Sequence, residues 1–311
     1  MRAVWLREFG GPEVLVPGTA PDPAPGPGEV LVDVAHANIT FVETMFRASG
    51  FGPFGAELPV IPGNGVGGTI TELGPGVDPA LAGRVVVTAT GGTGGYAERV
   101  VVDQGAPVPV PPGLPLDAAV ALMADGRTAL MLARAAGLRR GDRVLVEAAA
   151  GGVGSLLVQL AARAGATVVA AAGGSRKVAV LRAAGIDVVV DYRQAGWTDR
   201  VRDAVGAVDV VFDGVGGPLA REAFDLLDPG GRMLSFGLAG GTWADISAES
   251  AAARGVTLLS PRPGPDELRA LTEAALAEGA AGQRFPLERA AAAHAAIEAR
   301  ETLGKTLLDV R

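Results

Sequence analysis

The sequence predicts an α/β protein in which a doubly wound parallel sheet follows a domain of short β-strands. Three observations support this fold class. Strand-like and helix-like segments alternate between residues 143 and 260, whereas Gly and Pro break residues 1–117 into short β-type runs. A glycine-rich turn also joins the first strand of the alternating half to a helix.

The first region is typical of an antiparallel β domain. Its apolar runs predict strands at 29–35, 67–73, 83–89 and 96–103. Turn sequences rich in Pro and Gly separate these runs, which favours a barrel or a sandwich. The composition becomes helical over 116–137, so we place the first domain boundary after residue 117.

The second region, 118–265, alternates regularly. Its candidate strands lie at 143–148, 167–172, 187–192, 208–215, 232–238 and 256–260. Helix-like segments connect them at 155–164, 175–184, 197–204, 217–227 and 244–253. Strands joined by helical crossovers predict a six-stranded parallel sheet with right-handed connections. The tail, 266–311, ends in a strand-like run at 305–310, and we expect it to complete the first domain.

Composition excludes several classes of function. The 311 residues carry a net charge of −7 and no basic tract, which argues against a nucleic acid partner. The absence of cysteine excludes disulfides, thiolate zinc sites and a cysteine nucleophile. His36 and His294 stand alone and are predicted to be structural or surface residues. Without an apolar leader or a bilayer-length apolar run, we expect a cytoplasmic protein with no membrane partner.

The glycine-rich turn, "AAAGGVG" at 148–154, follows a strand and opens a helix. Ala149, Gly151 and Gly154 occupy the three fixed positions of the dinucleotide fingerprint G-x-G-x-x-G. The second position lets the backbone approach a diphosphate, and the third lets the helix pack closely on the strand. The free N–H groups at the helix start also suit an anion. We therefore predict a nucleotide-binding turn, with a plain structural turn as the alternative.

The next strand indicates which dinucleotide is bound. An NAD site places an acid about 20 residues after the glycine turn, to accept from the ribose 2′-hydroxyl. Here "AAGGSRK" at 171–177 contains no acid, and Ser175, Arg176 and Lys177 follow Gly173 closely. Cations and hydroxyl donors suit a 2′-phosphate, so the sequence favours NADP(H). The alternative is that the two cations are only solvent-exposed side chains in the first turn of a helix and bind no ligand.

Eight motifs from the N-terminus to the tail carry a family resemblance. They are "REFGGPEVL" (7–15), "PGPGEVLV" (25–32), "GGYAERV" (94–100), "GDRVLVEAAAGGVG" (141–154), "DYR" (191–193), "FDGVGG" (212–217), "GGRMLSFG" (230–237) and "LGKTLL" (303–308). Together they resemble the zinc-independent, quinone oxidoreductase-like branch of the medium-chain dehydrogenases/reductases. The resemblance implies a GroES-like catalytic domain of β-barrel type, a Rossmann domain, and a cleft between them for NADPH and substrate.

The resemblance also implies a set of cofactor-binding residues. The diphosphate would meet Gly151, Gly152, Val153 and Gly154, and the 2′-phosphate would meet Ser175, Lys177 and Tyr192, to which we add Arg176 on charge grounds. Val215 would lie near a ribose or the adenosine, and Ser235, Phe236 and Gly237 would present backbone to the nicotinamide end. Thr128 would face the nicotinamide, and Lys305 would reach the cofactor from the tail.

The region after residue 39 departs from the family pattern. The family segment N-x-x-D-x-Y is replaced by "TFVETM" at 40–45, and a further expected tyrosine is replaced by Phe51. The catalytic candidates that remain are Thr40, as a donor to substrate oxygen, and Glu43 and Asp125, as cleft or proton-donating carboxyls. A strand-end hydroxyl and a helix cap are the structural alternatives for Thr40 and Asp125.

The function this implies is hydride transfer from NADPH to a quinone or an α,β-unsaturated carbonyl, without zinc. The alternatives are an enoyl reductase that acts on a biosynthetic thioester and a nucleotide-binding protein of the same fold without catalysis. The apolar run "GVTLLS" at 255–260 would form the edge of the sheet, which predicts a homodimer with a continuous sheet.

Overall fold

A computed structural model describes residues 1–52, 55, 57–277 and 282–311. The chain forms two compact units, residues 1–127 with 269–311 and residues 128–268. The first unit thus extends ten residues beyond the predicted boundary at 117, because the helix that begins at Leu116 packs on strands of that unit. Within the described ranges, no helix combines the length and the apolar composition that crossing a membrane requires.

The N-terminal part of the first unit contains mostly strands. In chain order its elements are β1 (Arg2–Leu6), β2 (Leu15–Thr19), β3 (Glu29–Ile39), α1 (Phe41–Ser49), β4 (Gly65–Leu73), β5 (Val85–Ala89), β6 (Arg99–Asp103), β7 (Val108–Pro109) and α2 (Leu116–Ala121). In the long strand β3, Val30, Val32 and Val34 are fully buried in the core of this unit, and Leu31 on the opposite face is buried as well.

The second unit has the alternating order that the sequence predicts. A helix, α3 (Arg127–Ala136), leads into it. Its further elements are β8 (Arg143–Val146), α4 (Gly152–Arg163), β9 (Thr167–Ala172), α5 (Ser175–Ala183), β10 (Val188–Asp191), α6 (Trp197–Val205), β11 (Val208–Asp213), α7 (Gly217–Phe224), β12 (Leu227–Ser235), α8 (Ala248–Ala253) and β13 (Thr257–Leu258). The tail adds α9 (Pro265–Ala275), β14 (Gly282–Pro286), α10 (Ala290–Glu298) and β15 (Lys305–Asp309).

Sheet order confirms the predicted fold class. The second unit holds a parallel six-stranded sheet in the order β10-β9-β8-β11-β12-β13, the order of a doubly wound dinucleotide-binding fold. The first unit holds a separate sheet in the order β14-β15-β3-β4-β5-β7, with β6 also paired to β3. The tail strand β15 runs antiparallel to β3, and Leu307 pairs with Asn38.

The helix predicted over 116–137 is interrupted. Residues Leu122–Gly126 form a π-helical turn between α2 and α3, a local widening that is frequent at functional sites. The turn holds Asp125 and Gly126, and a Cβ on Gly126 would lie 3.1 Å from the Cβ of Ala275. Composition favours a helix throughout this segment, so the widened turn is a feature that periodicity could not reveal.

Candidate functional site

The glycine turn after β8 has the geometry that the fingerprint requires. Gly151 is the N-cap of α4 and has an extended conformation. Because glycine has no side chain, no capping side chain bonds to the N–H groups at the helix start. A Cβ on Gly151 would meet only the carbonyl oxygen of Ala148, at 3.1 Å, so the space in front of the turn is open. A Cβ on Gly154 would lie 2.3 Å from the same oxygen. The turn therefore leaves room for a ligand at Gly151, and only glycine fits at Gly154.

The end of β11 meets the end of β12 beside this turn. Asp213 pairs with Ser235, and the Phe236 N–H donates to the carbonyl oxygen of Asp213 at 2.8 Å. A Cβ on Gly237 would lie 2.6 Å from the carbonyl oxygen of Gly214, so the two chain segments touch through backbone. Val215 follows on the same loop and is buried. The residues predicted for the ribose and nicotinamide end thus lie together at the carboxyl edge of the sheet.

The turn between β9 and α5 is the predicted 2′-phosphate site. A Cβ on Gly173 would lie 2.8 Å from the Tyr192 ring and 3.2 Å from its hydroxyl oxygen, so Tyr192 covers this turn. Ser175 and Arg176 are exposed at the start of α5, and Lys177 is half-buried. Gly174 caps α5 without a side-chain hydrogen bond to the helix start. The helix start therefore presents N–H groups, a hydroxyl and cations on one exposed turn.

Two residues at this turn were missing from the sequence prediction. The Asp191 carboxylate accepts from the N–H groups of Gly174 and Arg193, at 3.0 Å each, and so ties the ends of β9 and β10 together. The Arg193 guanidinium lies against the turn, with Nε 2.9 Å from the place of a Cβ on Gly173. The signal was its position directly after Tyr192 in "DYR", where the end of β10 lies beside that of β9.

Thr40 and Glu43, two catalytic candidates of the first unit, form a capping box at the start of α1. Glu43 Oε2 accepts from the Thr40 N–H at 2.5 Å and from its hydroxyl at 2.9 Å, and Oε1 accepts from the Asn64 N–H at 2.8 Å. Glu43 is buried, and burial raises the pKa of its carboxyl against the effect of these donors and of Lys305. Both side chains thus bond within their own unit, and the Thr40 hydroxyl donates to the Glu43 carboxylate instead of to backbone.

Asp125, the third catalytic candidate, pairs with the tail. Its carboxylate lies 2.9 Å from Nζ of Lys305, which is itself buried. Lys305 also acts electrostatically on Glu43, so Thr40, Glu43, Lys305 and Asp125 form one connected polar cluster in the first unit. Thr128 begins the second unit on α3 and is half-buried. Phe51, which replaces an expected tyrosine, is exposed.

Both histidines have structural partners. His36 Nδ1 lies 2.9 Å from the Asp309 carboxylate. His294 is buried, and its Nε2 lies 2.9 Å from the Tyr96 hydroxyl. Burial, and next the charge of Arg47, lower the pKa of His294 to about 3, which keeps the ring neutral. Within the residues that the structure describes, no three His, Cys, Asp or Glu side chains are grouped to hold a metal ion.

A parallel sheet of this order, with a glycine turn at the end of its first strand, defines a Rossmann-type dinucleotide-binding protein. The protein-family models that match this chain support that class. Residues 26–112 match the family model "Alcohol dehydrogenase GroES-like domain", and residues 152–276 match "Zinc-binding dehydrogenase".

Full-length relatives define the family. Quinone oxidoreductase from Rattus norvegicus is 31% identical over 99% of this chain and 97% of its own length. A 2-haloacrylate reductase from Burkholderia sp is 30% identical over 98% of both chains. A mycobacterial protein solved in complex with NADPH superposes with a TM-score of 0.87 at 34% identity over all of both chains. The chain therefore belongs to the quinone oxidoreductase-like medium-chain dehydrogenases/reductases and is an oxidoreductase.

Proposed function

We propose that this protein is an NADPH-dependent, zinc-independent reductase that transfers hydride to a quinone or an α,β-unsaturated carbonyl. The observation that carries the cofactor assignment is the turn after β9. Ser175 and Arg176 are exposed at this turn, and Lys177 and Arg193 lie beside it. The Asp191 carboxylate at the same turn already accepts from two N–H groups. This set of donors favours a phosphate over a free 2′-hydroxyl. NADPH complexes among the structural neighbours support the assignment.

The cofactor site follows the carboxyl edge of the parallel sheet. We propose that the diphosphate lies over Gly151, Gly152, Val153 and Gly154, and the 2′-phosphate over Gly173, Ser175, Arg176, Lys177 and Tyr192, joined by Arg193. Val215, Ser235, Phe236 and Gly237 would hold the ribose and nicotinamide end, with Thr128 and Lys305 as further contacts. The open space in front of Gly151 fits the close approach of a phosphate to backbone N–H groups.

NADPH, when bound, supplies the hydride that reduces an electron-poor carbon. The protein then has to stabilise negative charge on the substrate oxygen. The polar cluster of the first unit contains a buried cation, Lys305, which pairs with Asp125 and acts electrostatically on Glu43, and we propose that it serves this purpose. We propose that Thr40, Glu43 and Asp125 support the reaction by positioning, and that the proton comes from solvent or through a ribose hydroxyl.

Zinc independence rests on the side chains that are present. The chain has no cysteine, and its two histidines are 258 positions apart and bonded to Asp309 and Tyr96. Catalytic zinc is held by three protein ligands, commonly His, Cys and carboxylates. We therefore propose that the polarising role of zinc in metal-dependent relatives falls here to hydrogen-bond donors and Lys305.

One observation favours a more specific acceptor. Arg127 is half-buried, and burial lowers its pKa, yet its guanidinium forms no hydrogen bond or ion pair within the described part of the chain. It directly precedes Thr128, the residue proposed to face the nicotinamide. A half-buried guanidinium without a partner suits a carboxylate ligand, since Arg binds carboxylates through two parallel hydrogen bonds. The relative named for 2-haloacrylate acts on such an acid.

Steady-state NADPH oxidation tests both acceptor classes. Against a panel of quinones, neutral enones and unsaturated carboxylates, we expect turnover of at least one class. Arg127→Met should raise the KM for carboxylate acceptors by about tenfold or more and leave neutral acceptors unchanged, because one charge-assisted contact contributes about 1.5–3 kcal/mol. Arg127→Lys, which keeps the charge, should lose less. Tight NADPH binding without turnover of any acceptor contradicts the proposed reaction, and equal losses on all acceptors contradict the role of Arg127.

We also propose a homodimer that pairs through β13. This strand is the edge of the parallel sheet, and both of its residues, Thr257 and Leu258, are exposed. An unpaired apolar edge favours pairing with a second copy. Light scattering at micromolar concentration should give twice the chain mass, and Leu258→Asp should shift the protein toward the monomer. A monomeric wild-type protein at that concentration contradicts the proposal. A cytoplasmic location and the absence of nucleic acid and membrane partners stay predictions of the sequence.

A further inference from the structure

Two buried carboxyl groups meet at the centre of the parallel sheet. Glu147 directly follows β8, Asp213 ends β11, and neither side chain is exposed to solvent. Val146 pairs with Phe212, and the Glu147 N–H donates to the Phe212 carbonyl oxygen at 3.0 Å, which makes the two acids neighbours across adjacent strands. The chain order reverses between β8 and β11, and ligands of doubly wound sheets bind in the crevice at that reversal.

The hydrogen bonds of this pair are incomplete as long as both groups are ionised. Asp213 Oδ1 accepts from the N–H groups of Val215, at 2.9 Å, and Gly216, at 2.7 Å. Asp213 Oδ2 and both oxygens of Glu147 have no donor among the residues that the structure describes. A carboxylate can only accept, so two facing carboxylates repel each other, and burying such unpaired charges is costly.

One shared proton removes this conflict. If Glu147 carries the proton, its O–H donates to Asp213 Oδ2, as in other acid pairs that hold one proton between them. Burial, followed by the facing Asp213, raises the pKa of Glu147 well above the ordinary range. The other charged group acting on Glu147 is Glu222 of α7, which is exposed and adds a smaller effect of the same sign. Asp213 Oδ1 already accepts from two backbone N–H groups, which leaves Oδ2 as the atom that accepts from a protonated Glu147.

The pair is placed to control two ligand-facing turns. Glu147 precedes the glycine turn by one residue, and Asp213 holds the turn at Val215 and Gly216 through both hydrogen bonds. A Cβ on Gly216 would lie 2.0 Å from the carbonyl oxygen of Thr242, so this second turn has little freedom to move. A change in the spacing of the two acids therefore moves backbone at the proposed dinucleotide site.

We propose that Glu147 and Asp213 form a carboxylic acid–carboxylate pair that shares one proton and positions the turns after β8 and β11 for the dinucleotide. The part concerning the dinucleotide rests on the proposed function, whereas the pair itself does not. Loss of the proton places two negative charges side by side beneath the turn that receives a diphosphate. Both the folded state and the bound state are then weakened.

The direction of the pH dependence follows from the raised pKa of Glu147. The folded protein binds this proton more tightly than the unfolded chain, in which a glutamate titrates near pH 4.3. Its contribution to stability is therefore complete below about pH 4.3 and is lost as pH rises through the folded pKa. Glu147→Gln replaces the protonated acid with a neutral amide that still donates to Asp213, so this variant should lack that loss.

The experiment compares the full-length wild type, Glu147→Gln and the control Glu222→Gln between pH 5 and pH 9. Urea unfolding of the ligand-free protein measures the pair alone. We expect wild type and Glu222→Gln to lose stability as pH rises, and Glu147→Gln to keep it. NADPH affinity is followed by nicotinamide fluorescence above pH 7. It should fall about tenfold in wild type and much less in Glu147→Gln. The reason is that an added negative charge near the phosphates weakens binding by an amount equivalent to about one pKa unit, which is a factor of ten.

The results of these measurements test the carboxyl pair and the dinucleotide site separately. Coinciding pH profiles of wild type and Glu147→Gln, in unfolding and in NADPH binding, overturn the proposal. If Glu147→Gln does not fold, Asp213→Asn replaces it in the experiment. Its amide oxygen still accepts from the N–H groups of Val215 and Gly216, and its amide nitrogen donates to Glu147. The pH dependence of stability and of NADPH binding should flatten in this variant in the same way. If wild type binds no NADPH at any pH, the proposed function fails, and the unfolding profiles still test the pair.

Discussion

Replacing Gly151 with valine is expected to abolish useful NADPH binding while the protein stays folded. Gly151 has an extended backbone, φ −84° and ψ 176°, that valine adopts readily. Its Cβ would touch only the carbonyl oxygen of Ala148, at 3.1 Å. The two methyl groups would then occupy the space in front of the helix start, where a phosphate has to reach the backbone N–H groups. We expect at least about 100-fold weaker binding, equivalent to about 2.8 kcal/mol.

Two other glycines provide the comparison. Gly264 has no neighbour within 4 Å of a Cβ, so Gly264→Val should change neither affinity nor stability. Gly154→Val should instead unfold or strongly destabilise the protein, because its Cβ would lie 2.3 Å from the backbone oxygen of Ala148. Isothermal titration with NADPH and urea unfolding separate the two effects. NADPH binding by Gly151→Val at wild-type strength contradicts the placement of the diphosphate.

Removing the cations beside the turn after β9 is expected to erase the preference for NADPH over NADH. Lys177→Ala should weaken NADPH binding by about 10-fold to 100-fold, since a hydrogen bond to a charged group contributes about 1.5–3 kcal/mol. Adding Arg193→Ala should weaken it further, because that guanidinium lies against the same turn. NADH has no 2′-phosphate, so its affinity should stay nearly constant in both variants.

A cation on the same helix serves as control for this experiment. Arg182 lies in the last turn of α5 and is exposed, away from the helix start, and Arg182→Ala should leave both affinities unchanged. The measurement is the ratio of dissociation constants for NADPH and NADH, taken at one salt concentration because phosphate contacts are screened. Wild type that binds NADH as tightly as NADPH refutes the cofactor assignment. Equal losses for both nucleotides in Lys177→Ala place that residue elsewhere than at the 2′-phosphate.

Local pattern was sufficient for the sheet because its central strands are buried on both faces. Val144, Leu145 and Val146 are all fully buried in β8, and such short apolar runs between helical segments are visible in the chain. Strand ends were less accurate. The strand predicted to reach residue 215 ends at Asp213, where its carboxylate accepts from the N–H groups of Val215 and Gly216 and turns the chain.

The predicted roles of Thr40 and Glu43 illustrate a local signal that was overlooked. Thr-x-x-Glu before an apolar run is the signature of a capping box, and the two residues form one at the start of α1. The bond from the Asn64 N–H to Glu43 was beyond any local pattern, because it joins α1 to a loop 21 positions away. The capping box is thus predictable from residue spacing, whereas the hydrogen bond from Asn64 to Glu43 depends on the tertiary structure.

By itself the sequence determined the class of protein and the preference for a phosphorylated dinucleotide, and it predicted the glycine turn as the phosphate-binding turn, since each depends on motifs whose residues are close together in the chain. Tertiary structure decided the partners that lie far apart: Glu147 faces Asp213 across 66 positions, and Asp125 pairs with Lys305 across 180. The physical reason is that charges and hydrogen-bond donors act over a few ångströms in space. Only the packed sheet and the returning tail bring these side chains within that distance.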